Sequence, residues 1–467
     1  MKVCLLNDSF PPVIDGVVNV MMNYADYLMK DHDARVMVGT PAYPGADYSS
    51  YAYPVVAYPS LDTAAVTNGY RTGNPFSGKN VSRLADFAPD IIHSHCPASA
   101  TVIARLLREV TNAPVVYTYH TKYDVDIKRY VKIKPLAEEG VQAMVSNIEA
   151  CDDIWVVSKG AGESLRALGF KGEYLVMNNG VDFAKGRVAD EQVIEATKEY
   201  DLPEGCPVYL YVGRMITYKG LPIILDALKK VKDAGQEYRM VFVGKGPDKE
   251  MLEERAKELG IWENCIFTGP IYDRDVLRAW NTRADLFLFP STFDTNGLVV
   301  REAAACGLAS VLIKDSCAAE GITDGRNGFV IDENADAMAS LLIAIGNDIA
   351  MLREVGSHAM DEIYLSWQDC VDAAYKRYQY VLEMKQRGAY DKRKKDASDY
   401  LVSLTAFSME EQNKFRKVRK EWFHDFKETA IGMMENIQDV EKYLDEVKTN
   451  IADMHEEIWN GQNHGTV

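Results

Sequence analysis

Short apolar runs and longer amphipathic segments alternate along most of this chain. Runs such as Val3–Leu6 and Val208–Val212 contain only apolar or aromatic residues, which is typical of parallel strands buried on both faces. The segments between such runs, for example 17–29 and 221–233, space their apolar positions as amphipathic helices do. Strand and helix in alternation predict an α/β fold built on parallel sheets.

The alternation falls into two units that are followed by a helical region. We predict two Rossmann-like, doubly wound domains that face a cleft, at 1–182 and 183–366. A helix at 367–387 is predicted to follow, and 388–467 are predicted to form a long helical extension. The segment 43–80 is rich in Tyr, Pro and Gly and has little periodicity, so it is predicted to form irregular connections.

Composition restricts the classes of function. The chain has 467 residues and a formal net charge of −17, which argues against general nucleic-acid binding. Its eight cysteines include no C-x-x-C pair and are expected to be small core residues of a reducing compartment rather than a zinc site. No apolar run reaches the roughly 18 residues that span a bilayer, and no signal peptide precedes the first strand. We therefore expect a cytoplasmic protein that is free to make a peripheral contact with the inner face of the cell membrane.

The stretch from Phe289 to Gly307 is the strongest candidate for chemistry. A strand end is followed by a turn with Asp294 and Gly297, and then by a small-residue helix that carries Glu302. Glycine lets backbone N–H groups approach a ligand, and a helix N-terminus favours an anion. A carboxylate on that helix can hold sugar hydroxyl groups. The alternative is a plain strand–turn–helix connection whose acidic side chains lie in water.

Three further candidates lie in loops after strand ends. Arg214 and Lys219 stand at the two ends of a strand-to-helix loop, where two cations are well placed to bind a diphosphate. Gly16 precedes the first helix and would let a ligand approach the N–H groups there. A plain turn glycine is an equally good interpretation of Gly16.

Histidines follow two strands of the first half. His120 comes just past a strand end, in a polar cluster with Thr118 and Thr121, at the edge where open α/β sheets bind ligands. The alternative is a hydrogen-bonded loop histidine. His93 and His95 are interpreted as pointing to opposite faces of one strand, so a structural or acceptor-lining role is favoured over a shared metal.

Several motifs, in this order and spacing, resemble retaining glycosyltransferases of family four, which have the GT-B fold. The motifs are FPPVIDGV, DIIHSH, YTYHT, NNGVD, YVGRMITYKG, VFVGKGP and PSTFDTNGLVVREAAACG. They extend from the first residues to about residue 385. The resemblance implies an enzyme that moves a hexose from a nucleotide-sugar donor to an acceptor.

The resemblance also implies roles for the candidate residues. Arg214 and Lys219 would bind the donor diphosphate, and Glu302 would bind the ribose hydroxyl groups. Asp294 takes the place of the first glutamate of the family's E-x7-E motif and would face the transferred sugar. His120 would contact that sugar and help to organise transfer. The other donor contacts would come from Gly16, Asn296, Gly297, Leu298 and Val299.

Neither a metal nor another cofactor is expected. Transfer from a sugar nucleotide mainly requires stabilisation of the departing diphosphate, which Arg, Lys and helix N-termini can supply. The sequence shows no D-x-D pair near the cleft that would hold a metal. Front-face attack, to which retention in the family is commonly attributed, needs no side-chain nucleophile, so Asp294 is not assigned as one. Because Asp is shorter than Glu, Asp294 is expected to change donor choice or to weaken sugar contacts.

Two features bear on the acceptor. The T-N-G-L run resembles the T-Q-G-L of bacterial glycolipid synthases that glycosylate diacylglycerol, and the basic strip at 122–134 would suit lipid headgroups or an anionic acceptor. A solvated helix face is the more common explanation of such a strip and is favoured for it. The prediction is a lipid acceptor such as diacylglycerol, with a soluble or cell-surface polysaccharide precursor as the alternative. Asp294 and the long tail also leave open a non-catalytic donor-binding or scaffold protein.

The tail carries its own pattern. Apolar residues between 423 and 458 recur at alternating spacings of three and four, as in a heptad seam. We predict a coiled coil that forms a homodimer or a helical hairpin with the preceding segment. The alternative is an amphipathic helix folded onto its own catalytic domains.

Overall fold

A seven-stranded parallel sheet forms the centre of the first domain, within the residues that the computed structural model describes (1–63, 70–122, 134–390, 399 and 402–409). Its strands are β1 (Lys2–Leu6), β2 (Arg35–Pro41), β3 (Val55–Tyr58), β6 (Ile91–Ser94), β7 (Val115–Tyr119), β8 (Asp153–Val156) and β9 (Leu175–Val176). They lie in the order β3-β2-β1-β6-β7-β8-β9. β4 (Ser60–Asp62) and β5 (Arg71–Gly73) form a separate antiparallel pair. β6, β7 and β8 are fully buried, as expected for central strands of a doubly wound sheet.

Helices connect the strands of this first sheet. They are α1 (Gly16–His32), α2 (Gly78–Asp86), α3 (Ser99–Thr111), α4 (Lys134–Glu149) and α5 (Lys159–Ala167). α1 begins at Gly16 because the side chain of Asp15 accepts a hydrogen bond from the N–H of Val18, at 2.8 Å. The Ser158 hydroxyl caps α5 in the same way. Such caps satisfy N–H groups that have no partner inside the helix.

The second domain is built on a six-stranded parallel sheet in the order β12-β11-β10-β13-β14-β15. The strands are β10 (Val208–Val212), β11 (Arg239–Val243), β12 (Cys265–Gly269), β13 (Leu286–Phe289), β14 (Ser310–Ile313) and β15 (Phe329–Ile331). The helices are α6 (Asp190–Thr197), α7 (Leu221–Asp233), α8 (Lys249–Glu258), α9 (Arg274–Arg283), α10 (Leu298–Ala305), α11 (Ala335–Ile345) and α12 (Ile349–Glu362). Their buried side chains form one continuous hydrophobic core.

The long helix α13 (Trp367–Gln386) follows the second domain but packs on the first. The guanidinium of Arg377 donates two hydrogen bonds to the carboxylate of Asp153, at 2.6 and 2.9 Å. The hydroxyl of Tyr378 lies 2.6 Å from Nδ1 of His93 in β6. α13 therefore forms part of the core of the first domain and contacts His93 there.

The predicted fold class is confirmed: two parallel, Rossmann-like sheets are connected by helices, and a helical region follows them. The prediction of irregular connections over 43–80 was wrong, because β3, β5 and the start of α2 lie there and β3 joins the main sheet. The basic strip predicted at 122–134 lies, apart from its two end residues, outside the described residues. The coiled-coil positions predicted between 423 and 458 lie outside them as well.

Two expectations from composition concern helices and cysteines. In the described ranges, no single helix has both the length and the apolar character needed to cross a bilayer; α11 and α12 reach them only as a pair that is bent by 112°. The eight cysteines, all within the described ranges, form no disulfide, and six of them are buried.

Candidate functional site

Three histidines lie together at the carboxyl edge of the first sheet. His93 is in β6, His95 follows β6, and His120 follows the neighbouring strand β7. Nδ1 of His95 lies 2.9 Å from Nε2 of His120, and the ring centres of His93 and His95 are 4.0 Å apart. The interpretation that His93 and His95 point to opposite faces was wrong, because residues two apart along an extended strand share a face. These three residues form the histidine cluster.

The histidine cluster is electrically neutral. Burial lowers the pKa of His120 to about 3, and it lowers the pKa values of His93 and His95 well below the usual value, because an imidazolium there would lose its water. Each neutral ring has one donor and one acceptor nitrogen. Both nitrogens of His93 are engaged, by Tyr378 at 2.6 Å and by Thr118 at 2.7 Å. Over the described ranges, no three His, Cys, Asp or Glu side chains are arranged to hold a metal ion.

On the second sheet, Lys219 and Asp294 form an ion pair. Nζ of Lys219 donates to Oδ1 of Asp294 at 3.0 Å, and the Ser291 hydroxyl donates to Oδ2 at 2.5 Å. Gly220, the next residue, has a φ of 79°, and a Cβ there would lie 2.2 Å from the carbonyl oxygen of Pro290. Glycine is therefore required for the Lys219 turn to pack on the end of β13. Lys219, which was predicted to bind the donor diphosphate, and Asp294, which was predicted to face the transferred sugar, are thus in direct contact.

Arg214 is exposed on the loop that follows β10. Its backbone carbonyl accepts a hydrogen bond from the Tyr211 hydroxyl at 3.1 Å, which holds the loop. Its guanidinium has no ion-pair or hydrogen-bond partner among the residues that the structure describes. An anionic ligand at this edge can therefore bind Arg214 without displacing a protein group.

The N-terminus of α10 opens at the same edge. Gly297 is its N-cap, with a φ of 61°, and no side chain caps the helix. The first N–H groups, including those of Leu298 and Val299, have no partner within the helix and favour an anion. Asn296 and Gly297 line a small pocket beside them.

Glu302, one turn further along α10, pairs with Arg274, which the sequence analysis did not single out. Nη2 of Arg274 donates to Oε1 of Glu302 at 2.6 Å and also to Oδ1 of Asp182. The guanidinium lies 4.3 Å from the centre of the Phe183 ring. Burial raises the pKa of Glu302, and Arg274 opposes that rise. The charged edge of the second sheet consists of Arg214, Lys219, Asp294, Glu302 and the N-terminus of α10.

Hydrogen bonds join the loop before α10 to the first domain. Oγ1 of Thr295 donates to the backbone carbonyl of His120 at 2.5 Å. The Ser158 hydroxyl donates to the carbonyl of Thr295, and the amide of Asn296 donates to the carbonyl of Val157, both at 2.5 Å. These bonds bring the backbone of His120 beside the loop that leads into α10, so predicted site residues from both domains meet.

A carboxylate of the second domain also caps a helix of the first. Oε2 of Glu320 accepts a hydrogen bond from the N–H of Lys159 at 2.7 Å, and Oε1 accepts one from the N–H of Gly160 at 2.5 Å. These are the first N–H groups of α5, where negative charge is favoured. The sequence contains no local signal for this contact, because it joins residues 160 positions apart.

Gly16 lies in open surroundings at the start of α1. A Cβ at this position would have no atom within 4 Å, which leaves room for a ligand at the helix N-terminus. No hydrogen bond within the described part of the chain joins Gly16 to the charged edge. Its predicted place near the phosphates therefore stays a prediction.

Two family models match the chain, one for each domain. The model described as Glycosyltransferase Family 4 matches residues 14–185. The model described as Glycosyl transferases group 1 matches residues 192–359. Together they cover well over half of the chain, including the histidine cluster and the charged edge.

Curated relatives include a plant sulfoquinovosyl transferase and a bacterial glucosyldiacylglycerol synthase. The sulfoquinovosyl transferase SQD2 of Arabidopsis thaliana is 28% identical over 341 residues, which are 68% of this chain and 61% of that enzyme. The alpha-monoglucosyldiacylglycerol synthase of Acholeplasma laidlawii is 24% identical over 356 residues, which are 73% of this chain and 87% of that enzyme. This chain thus spans less than two thirds of the plant relative and most of the bacterial one.

Solved structures share the fold. The Anabaena protein HepE in complex with UDP superposes with a TM-score of 0.65 at 17% identity, over 81% of this chain and all of that one. Sucrose-phosphate synthase from Thermosynechococcus elongatus superposes with a TM-score of 0.65 at 18% identity, over 82% of this chain and 99% of that one. At these identities the likeness establishes the two-domain fold alone.

Proposed function

This chain belongs to glycosyltransferase family four, and from that premise we propose that it transfers a hexose from a nucleotide sugar to a lipid acceptor with retention of anomeric configuration. The observation that carries the proposal is the charged edge. One helix, α10, supplies both an uncapped N-terminus and Glu302, while Lys219 and Asp294 lie on the adjoining loops. An anion-binding helix end next to a cation and a carboxylate matches the diphosphate, sugar and ribose of one donor.

The chemistry follows from where charge develops. As the glycosidic bond to the diphosphate breaks, negative charge grows on the leaving phosphate oxygen, and fixed positive groups stabilise it without reorganisation. Lys219, Arg214 and the N–H groups of Leu298 and Val299 are the groups proposed for this role. No metal or other cofactor is needed in this scheme.

Asp294 orients rather than attacks. Its two carboxylate oxygens already accept hydrogen bonds from Lys219 and Ser291, which hold the shorter side chain in a defined position. A carboxylate engaged in this way is a poor nucleophile but a good acceptor for a sugar hydroxyl. We therefore assign Asp294 to binding of the transferred hexose, as the family motif implies.

His120 acts as a neutral hydrogen-bonding group. Its Nε2 is engaged with His95 at 2.9 Å, so Nδ1 is the nitrogen proposed to contact a hydroxyl group of the sugar or acceptor. With a pKa of about 3, the ring does not supply a proton as an imidazolium near neutral pH. The proton of the attacking hydroxyl is proposed to pass to the leaving phosphate, as in front-face attack.

The lipid acceptor is supported by the relatives and by the surface of the first domain. The bacterial relative is named for a glucosyldiacylglycerol product. Two large apolar side chains of the first domain are exposed: Ile14, in the loop before α1, is 68% exposed, and Leu61, in β4, is 70% exposed. The Tyr70 hydroxyl donates to Asp15 at 2.9 Å, which holds the β4–β5 hairpin beside that loop. Exposed apolar side chains suit an acceptor presented at a membrane surface, where a peripheral location is proposed.

The test is a transfer assay with the purified full chain. Diacylglycerol in detergent micelles is incubated with UDP-glucose, UDP-galactose or GDP-mannose, and both released nucleotide and glycolipid are measured. We expect one donor to give a glycolipid in step with nucleotide release, with the anomeric configuration of the donor by proton NMR. Glu302→Ala is expected to abolish the product, whereas the exposed Glu258→Ala, at the end of α8, leaves it unchanged.

Three outcomes would overturn parts of the proposal. Tight donor binding without product from any acceptor indicates a donor-binding or scaffold protein. A product only with soluble sugar acceptors contradicts the lipid assignment. Inversion of the anomeric centre contradicts the mechanism.

A further inference from the structure

Arg274 lies where two helices of the second domain meet the segment that connects the two sheets. It is the first residue of α9, and its Nη2 donates both to Glu302 on α10 and to Asp182 in the segment that connects the two sheets. Its guanidinium packs on the Phe183 ring of the same segment, at 4.3 Å from the ring centre. A planar guanidinium suits this arrangement, because it can stack on an aromatic face while its N–H groups bind carboxylates in the ring plane.

The two carboxylate oxygens of Glu302 differ in their hydrogen bonding. Oε1 accepts the hydrogen bond from Arg274 at 2.6 Å. Oε2 has no hydrogen-bond partner among the described residues, and the side chain is 14% exposed. An ionised carboxylate oxygen can accept two hydrogen bonds. Oε2 can therefore accept one hydrogen bond from each hydroxyl group of a vicinal diol.

We propose that Arg274 is a positioning residue that holds Oε1 of Glu302 and so presents Oε2 to the 2′- and 3′-hydroxyl groups of the donor ribose. The proposal rests on the proposed function, because it takes Glu302 as the ribose-binding residue. Arg274 does not touch the ribose or the reacting atoms in this scheme. It acts through Glu302, and its link to Asp182 fixes it to the connection between the domains.

The charged groups around Glu302 also affect its pKa. The titratable groups that face it are Arg274 from α9, Asp182 from the connecting segment and the Cys306 thiol at the end of α10. Burial and Asp182 raise the pKa of Glu302, and Arg274 lowers it. Without Arg274 the carboxyl group would hold its proton to higher pH, so Oε2 would lose acceptor strength as the pH falls.

Arg278 provides a matched control. It lies one turn further along α9 and donates to the backbone carbonyls of Ala184 and Gly186, at 3.1 and 3.2 Å. It therefore ties the same helix to the same connecting segment, but the structure gives it no hydrogen bond to Glu302. A purely structural tether would be weakened equally by Arg278→Gln and by Arg274→Gln.

The experiment is a calorimetric binding cycle on the full chain. UDP, GDP and ADP are titrated into the wild-type protein, and the tightest of them is compared with its 2′,3′-dideoxy form in wild type, Arg274→Gln, Arg274→Lys and Arg278→Gln. In the wild type and in Arg278→Gln we expect loss of the diol to weaken binding about 10-fold or more, since these are hydrogen bonds to a charged group. In Arg274→Gln we expect weaker binding of the ribonucleotide and less than about 3-fold discrimination against the dideoxy form, with partial recovery in Arg274→Lys.

A pH series completes the test. Between pH 8 and pH 6, nucleotide affinity of Arg274→Gln is expected to fall relative to wild type, and thermal unfolding verifies that each variant is folded. Wild-type discrimination retained by Arg274→Gln, or lost equally by Arg278→Gln, would overturn the inference and leave the proposed function intact. If wild type binds none of the three nucleotides, the proposed function fails, and the inference with it.

Discussion

On the first domain the histidine cluster is buried and neutral, whereas on the second domain the charged edge is partly exposed and contains ion pairs. The side chains of Lys219 and Asp294 are 16% and 23% exposed, while His93, His95 and His120 are at most 5% exposed. The cluster is held by hydrogen bonds between neutral groups. The edge is held by ion pairs that retain contact with solvent.

This difference indicates which ligand each side suits. An anionic diphosphate needs cations that are not already neutralised by burial, and the second domain supplies them at a helix N-terminus. Sugar hydroxyl groups need neutral donors and acceptors in fixed positions, and the first domain supplies those.

The largest effect is expected from Lys219→Ala. Removing this cation takes away a fixed charge next to the leaving phosphate and leaves Asp294 without its partner at 3.0 Å. Loss of one such group typically costs about 100- to 1,000-fold in kcat, and we expect a loss of this size with little change in the unfolding temperature. Steady-state nucleotide release measures it.

Lys229→Ala is the control for that prediction, since Lys229 forms an exposed ion pair with Asp233 on α7. Its kcat is expected to match wild type. Equal activity of Lys219→Ala and wild type would contradict the proposed role of Lys219 in stabilising the leaving phosphate.

A second prediction concerns the pH dependence of stability. The pKa of His120 is about 3 in the folded chain, whereas its ordinary value is 6.5. Between these pH values the unfolded chain binds a proton at His120 and the folded chain does not. Stability is therefore fully present above about pH 6.5 and is lost as the pH falls toward 3. At pH 5 the loss is about 2 kcal/mol for this histidine, and His120→Gln is expected to remove that part of the loss.

Urea unfolding at pH 7.5 and pH 5 measures the effect. His358→Gln is the control, because His358 lies outside the cluster, where its Nδ1 is 3.1 Å from the carbonyl oxygen of Arg326. An identical pH dependence in wild type and His120→Gln would show that His120 is not held neutral by burial.

The smallest effect is expected from Glu320→Gln, which leaves hydrogen-bonding atoms at the start of α5 but removes the negative charge. A charge at a helix N-terminus contributes about 0.3–1 kcal/mol, so a small fall in the unfolding temperature is expected. A loss of a few-fold in kcat/KM is expected as well, because this contact joins the two domains. A variant with unchanged stability and unchanged kcat/KM would show that this contact contributes nothing across the cleft.

Local patterns in the sequence were sufficient for the fold class and for the loops that carry the charged edge. The apolar runs of β1, β10 and β13 predict buried parallel strands. Polar residues that follow the ends of parallel strands lie at one edge of each sheet. β3 and β5 were missed because four- and three-residue strands in a Tyr-rich segment have too few positions to show a period.

Contacts between distant residues could not be predicted in this way. Arg274 looks like an ordinary first residue of a helix, and only the fold brings it to Glu302 and Asp182. The neutral state of His120 likewise depends on its burial in the folded chain. Such contacts set the pKa values and orientation of the side chains, which a linear motif does not contain.

The most direct test of the central claim, that the charged edge binds the donor, is a crystal structure of the full chain with the nucleoside diphosphate that it binds most tightly. We predict the diphosphate at the N-terminus of α10, within hydrogen-bonding distance of Nζ of Lys219, and the ribose hydroxyl groups on Oε2 of Glu302. A nucleotide bound at the histidine cluster, with the charged edge unoccupied, would contradict the account.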